Sequence, residues 1–224
     1  MLTCNLIHHQ LCPLSRQIRV LLSEIGAIYT LKREDYWLRR EELLTKSPFG
    51  ILPILEMTDC KAIIGPYPII EFLHEKVENF FLMPNNVEIR NNIRQQVVWF
   101  NDKFYREVSK VIVDEKVIKP ITKLSEPKAE FLRIAKNNLV QHFKLLEKIL
   151  QNNLYLVGEQ ITCADIVATS HISIIDYFGE ISWDRWAYIK EWYALMKSRP
   201  SVRLILEDRI PGLLPPTYYS DPDF

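Results

Sequence analysis

The hydrophobic pattern of this 224-residue chain changes period near residue 84, and that change limits the possible folds more than any other feature. Up to residue 80, short apolar runs alternate with helical stretches. Beyond Pro84-Asn85-Asn86, apolar residues recur at three- and four-residue steps. Two units are implied, one α/β and one all-α. In the first, Leu2 to Ile7 and Ala27 to Leu31 read as strands flanking a helix over Leu14 to Ile25, with Gly26 as its C-cap. Arg39 to Thr45 reads as a short helix. Ile51 to Glu56 and Lys61 to Ile64 read as a hairpin turning at Thr58-Asp59, and Pro66 to Val77 as a closing helix. The order β-α-β, α, β-β-α requires a crossover between the first two strands, which makes them parallel, and an antiparallel edge.

The predicted organisation is an α/β domain over 1–80, a linker over 81–86, a helical bundle over 87–208 and an extended, proline-rich acidic and aromatic tail over 209–224. In the bundle, Val87 to Lys119 carries Ile89, Ile93, Val97, Phe100 and Phe104 on one face, and Pro120 is expected to end it. Lys128 to Leu150, Thr162 to Phe178, Trp183 to Met196 and Pro200 to Glu207 complete the set, the second of these being the most apolar.

Composition excludes several classes of function. Lys plus Arg and Asp plus Glu number 28 each, so the basic surplus needed to displace counterions from nucleic acid is missing. The beginning of the chain lacks a basic, apolar leader pattern, and no run of 18 apolar residues exists to span a membrane. Cys4, Cys12, Cys60 and Cys163 are scattered, as expected of free thiols in the cytoplasm, and they do not form a zinc pattern with histidines. His8, His9 and His74 read as strand-end or surface residues without ligand partners, and His171 reads as a core histidine. No metal is expected.

Two motifs identify the scaffold. Phe49-Gly50-Ile51-Leu52-Pro53-Ile54-Leu55-Glu56 resembles the segment of glutathione transferases in which a cis-proline follows the residue that meets the thiol part of glutathione. Thr162 and Asp165 stand in the N-cap and N3 relation of a capping box ahead of an apolar run, and Arg199-Pro200-Ser201 follows, as in the buried helix of the same family. The resemblance covers the whole chain. It implies a thioredoxin-like first domain, a helical second domain and a homodimer. It also implies that Leu52, Pro53, Gly65 and Pro66 occupy the glutathione site.

Two functional readings follow. Cys12-Pro13-Leu14-Ser15 resembles the motif of glutaredoxins and omega-type transferases, which implies thiol transfer with Cys12 as nucleophile and Ser15 as a helix-end hydrogen-bond donor. A thiolate at a helix N-terminus is favoured by unpaired amides and the dipole. The alternative is that Cys12 is an ordinary small residue in a loop. Against catalysis, the family's acidic-serine pair for the γ-glutamyl end is replaced by Gly65-Pro66, which offers no carboxylate, no hydroxyl and one amide fewer. Tyr67 could supply a substitute hydroxyl, provided that it points toward the site.

The second reading starts at the chain end. Tyr218, Tyr219 and Phe224 are aromatic anchors, and Asp221, Asp223 and the terminus carry negative charge. Such a segment suits recognition by a partner, or packs back on its own domain. His171 to Trp183, Lys190-Glu191-Trp192-Tyr193 and Asp208-Arg209-Ile210-Pro211-Gly212, together with this ending, resemble one branch of the family. That branch comprises bacterial transferase-like cell-division factors that bind filaments of the tubulin-like protein FtsZ. The resemblance implies a cytoplasmic, non-catalytic partner of FtsZ at the division site, needing no cofactor. Trp37, beside Asp35 and Arg39-Arg40, would contribute to the interface or be tucked under its loop. Glutathione enters only under the transferase reading.

Overall fold

The computed structural model describes residues 2–58 and 60–222, so Asp59 of the hairpin turn lies outside it. A four-stranded sheet of order β2-β1-β3-β4 forms the first unit, from β1 (Thr3–His8), β2 (Ile28–Arg33), β3 (Ile54–Glu56) and β4 (Ile63–Ile64). α1 (Pro13–Glu24) is the crossover that makes β1 and β2 parallel, while β3 is antiparallel to both β1 and β4. Period-2 alternation gives the sheet two faces. Leu6 opposite Leu55 faces α1 and α3 (Pro66–Lys76), packing with Ile18, Leu21, Ile69 and Leu73. Ile7 opposite Ile54 faces the other side, with Leu52 and with Leu43 of α2 (Glu41–Lys46).

Within the 81–86 segment Leu82 and Met83 are buried, and the Leu82 carbonyl accepts the Cys163 amide at 2.9 Å. α4 (Val87–Val98) is capped by Asn86, whose side chain accepts the Ile89 amide at 3.0 Å. It continues unbroken through a π-wound stretch over Trp99–Ser109, α5 (Lys110–Val113), a second π stretch over Asp114–Ile118 and α6 (Lys119–Thr122). Pro120 does not end this helix. It lies where the wider winding returns to α register, and the helix stops at Lys123, in left-handed backbone with φ 54°.

α7 (Ala129–Leu150), α8 (Cys163–Tyr177), α9 (Ala187–Lys197) and α10 (Pro200–Leu206) complete the bundle. The predicted Trp183 to Met196 helix is divided: Trp183–Arg185 is a 3-10 turn, and α9 starts after Trp186. Every residue of α8 is buried. The capping box forms at its start, where the Asp165 carboxylate accepts from the Thr162 amide and hydroxyl, the Leu156 amide and the Trp192 indole at 2.8–3.1 Å. The core is continuous from the sheet into the bundle through Leu11, Phe100, Phe104, Ile172 and Ile175. Each fully buried side chain of this size stabilises by about 1.5–3 kcal/mol. Among the described residues, no helix is long and apolar enough to cross a membrane, and no three His, Cys, Asp or Glu side chains converge as metal ligands.

Candidate functional site

α1 sets the site because its first turns face three ways. Cys12 is its N-cap, extended at φ −88°, and Pro13 occupies the first helical position. The amides of Ser15 and Arg16 close on the Cys12 carbonyl at 3.0 and 2.9 Å. Cys12 is 6% exposed. Burial pushes its thiol up, outweighing the pull of the Ser15 hydroxyl, the first-turn amides and Arg16. Tyr36 and Tyr105 lie within electrostatic reach of it, and burial pushes both phenols up as well. A thiol at this helix end is therefore protonated and covered, the opposite of what nucleophilic exchange requires. Ser15, fully buried, accepts the His9 amide at 3.4 Å.

One turn on, α1 carries a charge cluster that the sequence reading did not single out. Arg16 is fully buried. It donates to the Gln10 carbonyl at 2.7 Å, to the hydroxyls of Ser173 and Tyr219 at 2.9 Å each, and stands 3.5 Å from the Asp208 carboxylate. Arg19 donates to both oxygens of Asp208, at 2.6 and 3.1 Å. The signal was two arginines three residues apart on a helix face otherwise occupied by Ile18, Leu21 and Leu22.

That cluster receives the tail. The predicted extended segment instead folds back, ending in a 3-10 turn over Thr217–Ser220. The Tyr177 hydroxyl donates to the Leu213 carbonyl at 2.6 Å and accepts the Ile210 amide at 3.0 Å. Lys197 donates to the Tyr218 carbonyl at 3.0 Å. Tyr219 is 0% exposed, so at this residue the segment packs back on the protein itself, the second of its two expected roles. Tyr218 is half-buried and Asp221 exposed. Asp223 and Phe224 lie outside the described residues.

The Leu52-Pro53 bond is cis and the Pro53 carbonyl accepts the Gly65 amide at 2.8 Å. Gly65 sits at φ 87°, a conformation that disfavours any side chain, and Pro66 starts α3 without an N–H. Tyr67 lies near Asp102, whose negative charge disfavours holding a second carboxylate there. Leu52-Pro53 and Gly65-Pro66 thus stand side by side, and the Gly65-Pro66 turn offers neither a carboxylate nor a hydroxyl.

The segments around Trp37 and Phe49 form an apolar and basic surface. Trp37 is half-buried, its ring 4.8 Å from that of His9 at 73°. The His9 Nδ1 accepts the Leu11 amide at 3.2 Å, so Nε2 carries the proton toward Asp35, 3.5 Å away. Leu38, Phe49 and Ile51 are 56%, 72% and 45% exposed. The Arg39 guanidinium lies against Gly50, 3.2 Å from where a Cβ would stand, which joins the two loops. Phe49 and Ile51 were legible only as the entry to β3.

Two histidines are held neutral in the bundle. Burial pushes His171 down to about 3. It contacts the Ser109 hydroxyl at 2.8 Å and Asn101 at 3.0 Å, and Asn101 exchanges two amide hydrogen bonds with Gln17 of α1. This confirms a satisfied core histidine and ties the two units together. His142 accepts the Trp99 indole N–H at 2.9 Å and faces Glu107 at 2.9 Å. It lines a groove of about 780 Å³ between α7 and the 99–109 stretch, with Lys103 and Leu145.

Comparison with known proteins agrees with this architecture. Family models described as the glutathione S-transferase N-terminal domain and C-terminal domain match residues 6–80 and 113–209. The chain is 34% identical over 223 residues to FtsZ-localized protein A of Caulobacter vibrioides (strain NA1000 / CB15N), covering 98% of each. A crystal structure of a glutathione S-transferase from Sinorhizobium meliloti 1021 superimposes with a TM-score of 0.94 at 34% identity, covering 99% of this chain and 100% of that one. The structure of FzlA from C. crescentus superimposes with a TM-score of 0.93 at 33% identity, covering 100% of both.

Proposed function

The chain belongs to the glutathione S-transferase family, and within it we propose that this member is an interaction protein that binds FtsZ filaments at the division site. The observation that carries the reading is the contrast at the site: the covered Cys12 thiol and the Gly65-Pro66 turn are poorly built for catalysis. The loops around Trp37, Leu38 and Phe49 and the chain end around Asp221, by contrast, are displayed. Full-length similarity to a protein named for FtsZ supplies the partner. The reading places Trp37, Tyr218, Asp221, Asp223 and Phe224 at the interface, requires no cofactor, and takes the active form as a homodimer, which light scattering checks.

Co-sedimentation with GTP-polymerised FtsZ tests it. The full chain should pellet, and Trp37→Ala and a chain ending at Ser220 should each pellet less. Ending at Ser220 keeps Tyr219, so a loss there reads the terminal residues and not the interior contact. A full chain that stays in the supernatant overturns the reading.

The alternative is a glutathione-dependent thiol transferase, favoured by the Sinorhizobium relative's name at equal identity and by the cis Leu52-Pro53 bond. Under it, glutathione–mixed-disulfide reduction should be measurable and should vanish in Cys12→Ala.

A further inference from the structure

Tyr219 is the most deeply buried of the described tail residues, in a segment that Tyr177 and Lys197 also hold at the Leu213 and Tyr218 carbonyls. Tyr219 is 0% exposed, whereas Ser220 and Asp221 are exposed and Tyr218 is half-buried. The Tyr219 ring packs edge-on against Tyr177 of α8, 5.3 Å between centroids at 83°. Its hydroxyl accepts a hydrogen bond from Arg16 of α1 at 2.9 Å. The tail is therefore gripped from both structural units at once. Arg16 is itself immobilised by Gln10, Ser173 and Asp208, so the acceptor position for the phenol is fixed before the tail arrives. The 3-10 turn around it is closed by the Tyr219 amide on the Pro216 carbonyl and the Asp221 amide on the Tyr218 carbonyl, both at 3.0 Å.

We propose that Tyr219 is a positioning residue: by inserting between α1 and α8 onto Arg16 it sets where Tyr218 and Asp221 stand for the partner, without touching the partner itself. This rests on the interaction reading above. A segment held in its bound conformation loses less entropy on association than a loose one, so the contribution appears as affinity. A residue that both filled the interior and met the partner would have to leave the Arg16 pocket first, exposing a desolvated guanidinium without its phenol.

Two variants of the full chain test this, Tyr219→Phe, which keeps the ring and removes the hydroxyl, and Tyr219→Ala, which removes both. Hydrogen exchange in the protein alone should show the Tyr219 and Asp221 amides accelerated by about tenfold or more in Tyr219→Ala, and by a larger factor than the amides of α8. Tyr219→Phe should fall between it and the wild type. Filament affinity should follow the same order, with a loss of about tenfold in Tyr219→Ala. Unchanged tail exchange in Tyr219→Ala overturns the proposal, as does an equal acceleration of tail and α8 amides, which would make Tyr219 part of the general fold only. Released tail amides with wild-type filament affinity overturn it as well. Should the wild type fail to bind FtsZ, the interaction reading falls, and the exchange contrast still decides whether Tyr219 holds the tail.

Discussion

At the start of α1, burial keeps the thiol of Cys12 protonated, whereas one turn on it leaves the guanidiniums of Arg16 and Arg19 ion-paired. Both places are almost closed to water, with Cys12 at 6%, Arg16 at 0% and Arg19 at 5% exposure. The difference lies in what surrounds each group. Around Cys12 stand a hydroxyl, two amides and two phenols, which stabilise a thiolate less than burial penalises it. Around the arginines stand a shared carboxylate, two hydroxyls and two carbonyls. A buried charge persists only where opposite charge and acceptors are already in place. On this helix they are in place for anchoring the tail and not for a nucleophile.

The strongest way to break the comparison is Asp208→Ala, which strips the shared carboxylate from two buried arginines. It should destabilise by about 3–5 kcal/mol, read by urea unfolding. A change below about 1 kcal/mol would mean that the cluster contributes no more than an exposed ion pair.

A smaller effect is expected from acid. His8 and His9 border the two sides of the contrast, and burial first of all pushes each down to about 4. A histidine in the unfolded chain titrates near 6.5. Between those values the unfolded chain takes up protons that the fold excludes, so stability that is complete above about pH 6.5 is lost as pH falls toward 4. Asp176, pushed up to about 6 by burial, acts in the opposite sense, its contribution growing as pH falls below about 6. His9→Asn separates the two: its unfolding free energy should fall less steeply between pH 7 and 4.5 than that of the wild type. Parallel slopes would remove His9 from the account.

The smallest effect is expected at the thiol. Cys12→Ala should change stability by no more than about 1 kcal/mol. In the native protein, Cys12 should react with a disulfide reagent about tenfold or more slowly than the exposed Cys60. Equal rates would return Cys12 to the list of nucleophiles.

Much of the scaffold was legible because each signal is local. The β-α-β order follows from runs of apolar residues, the helix over Cys163–Tyr177 from its capping box, and the cis bond from the resemblance around Pro53. The Arg16–Asp208–Tyr219 cluster was not, because its members are separated by 192 and 203 positions from Arg16 and nothing in their neighbourhoods shows that they meet. A tail rich in proline reads as extended by composition alone. Only the pocket that Arg16 and Tyr177 provide decides that Tyr219 turns inward. The π winding over Trp99–Ser109 likewise leaves no mark in a three- and four-residue periodicity.

Gly179 follows α8 at φ 66°, and a Cβ there would stand 3.2 Å from the Cγ of Pro216. In heredity, then, the tail is not confined to its own codons. A missense change at codon 179, far upstream of the last residues, would crowd the path of the returning chain and share a phenotype with lesions in the tail. A genetic map of the chain end would include one glycine that lies outside it.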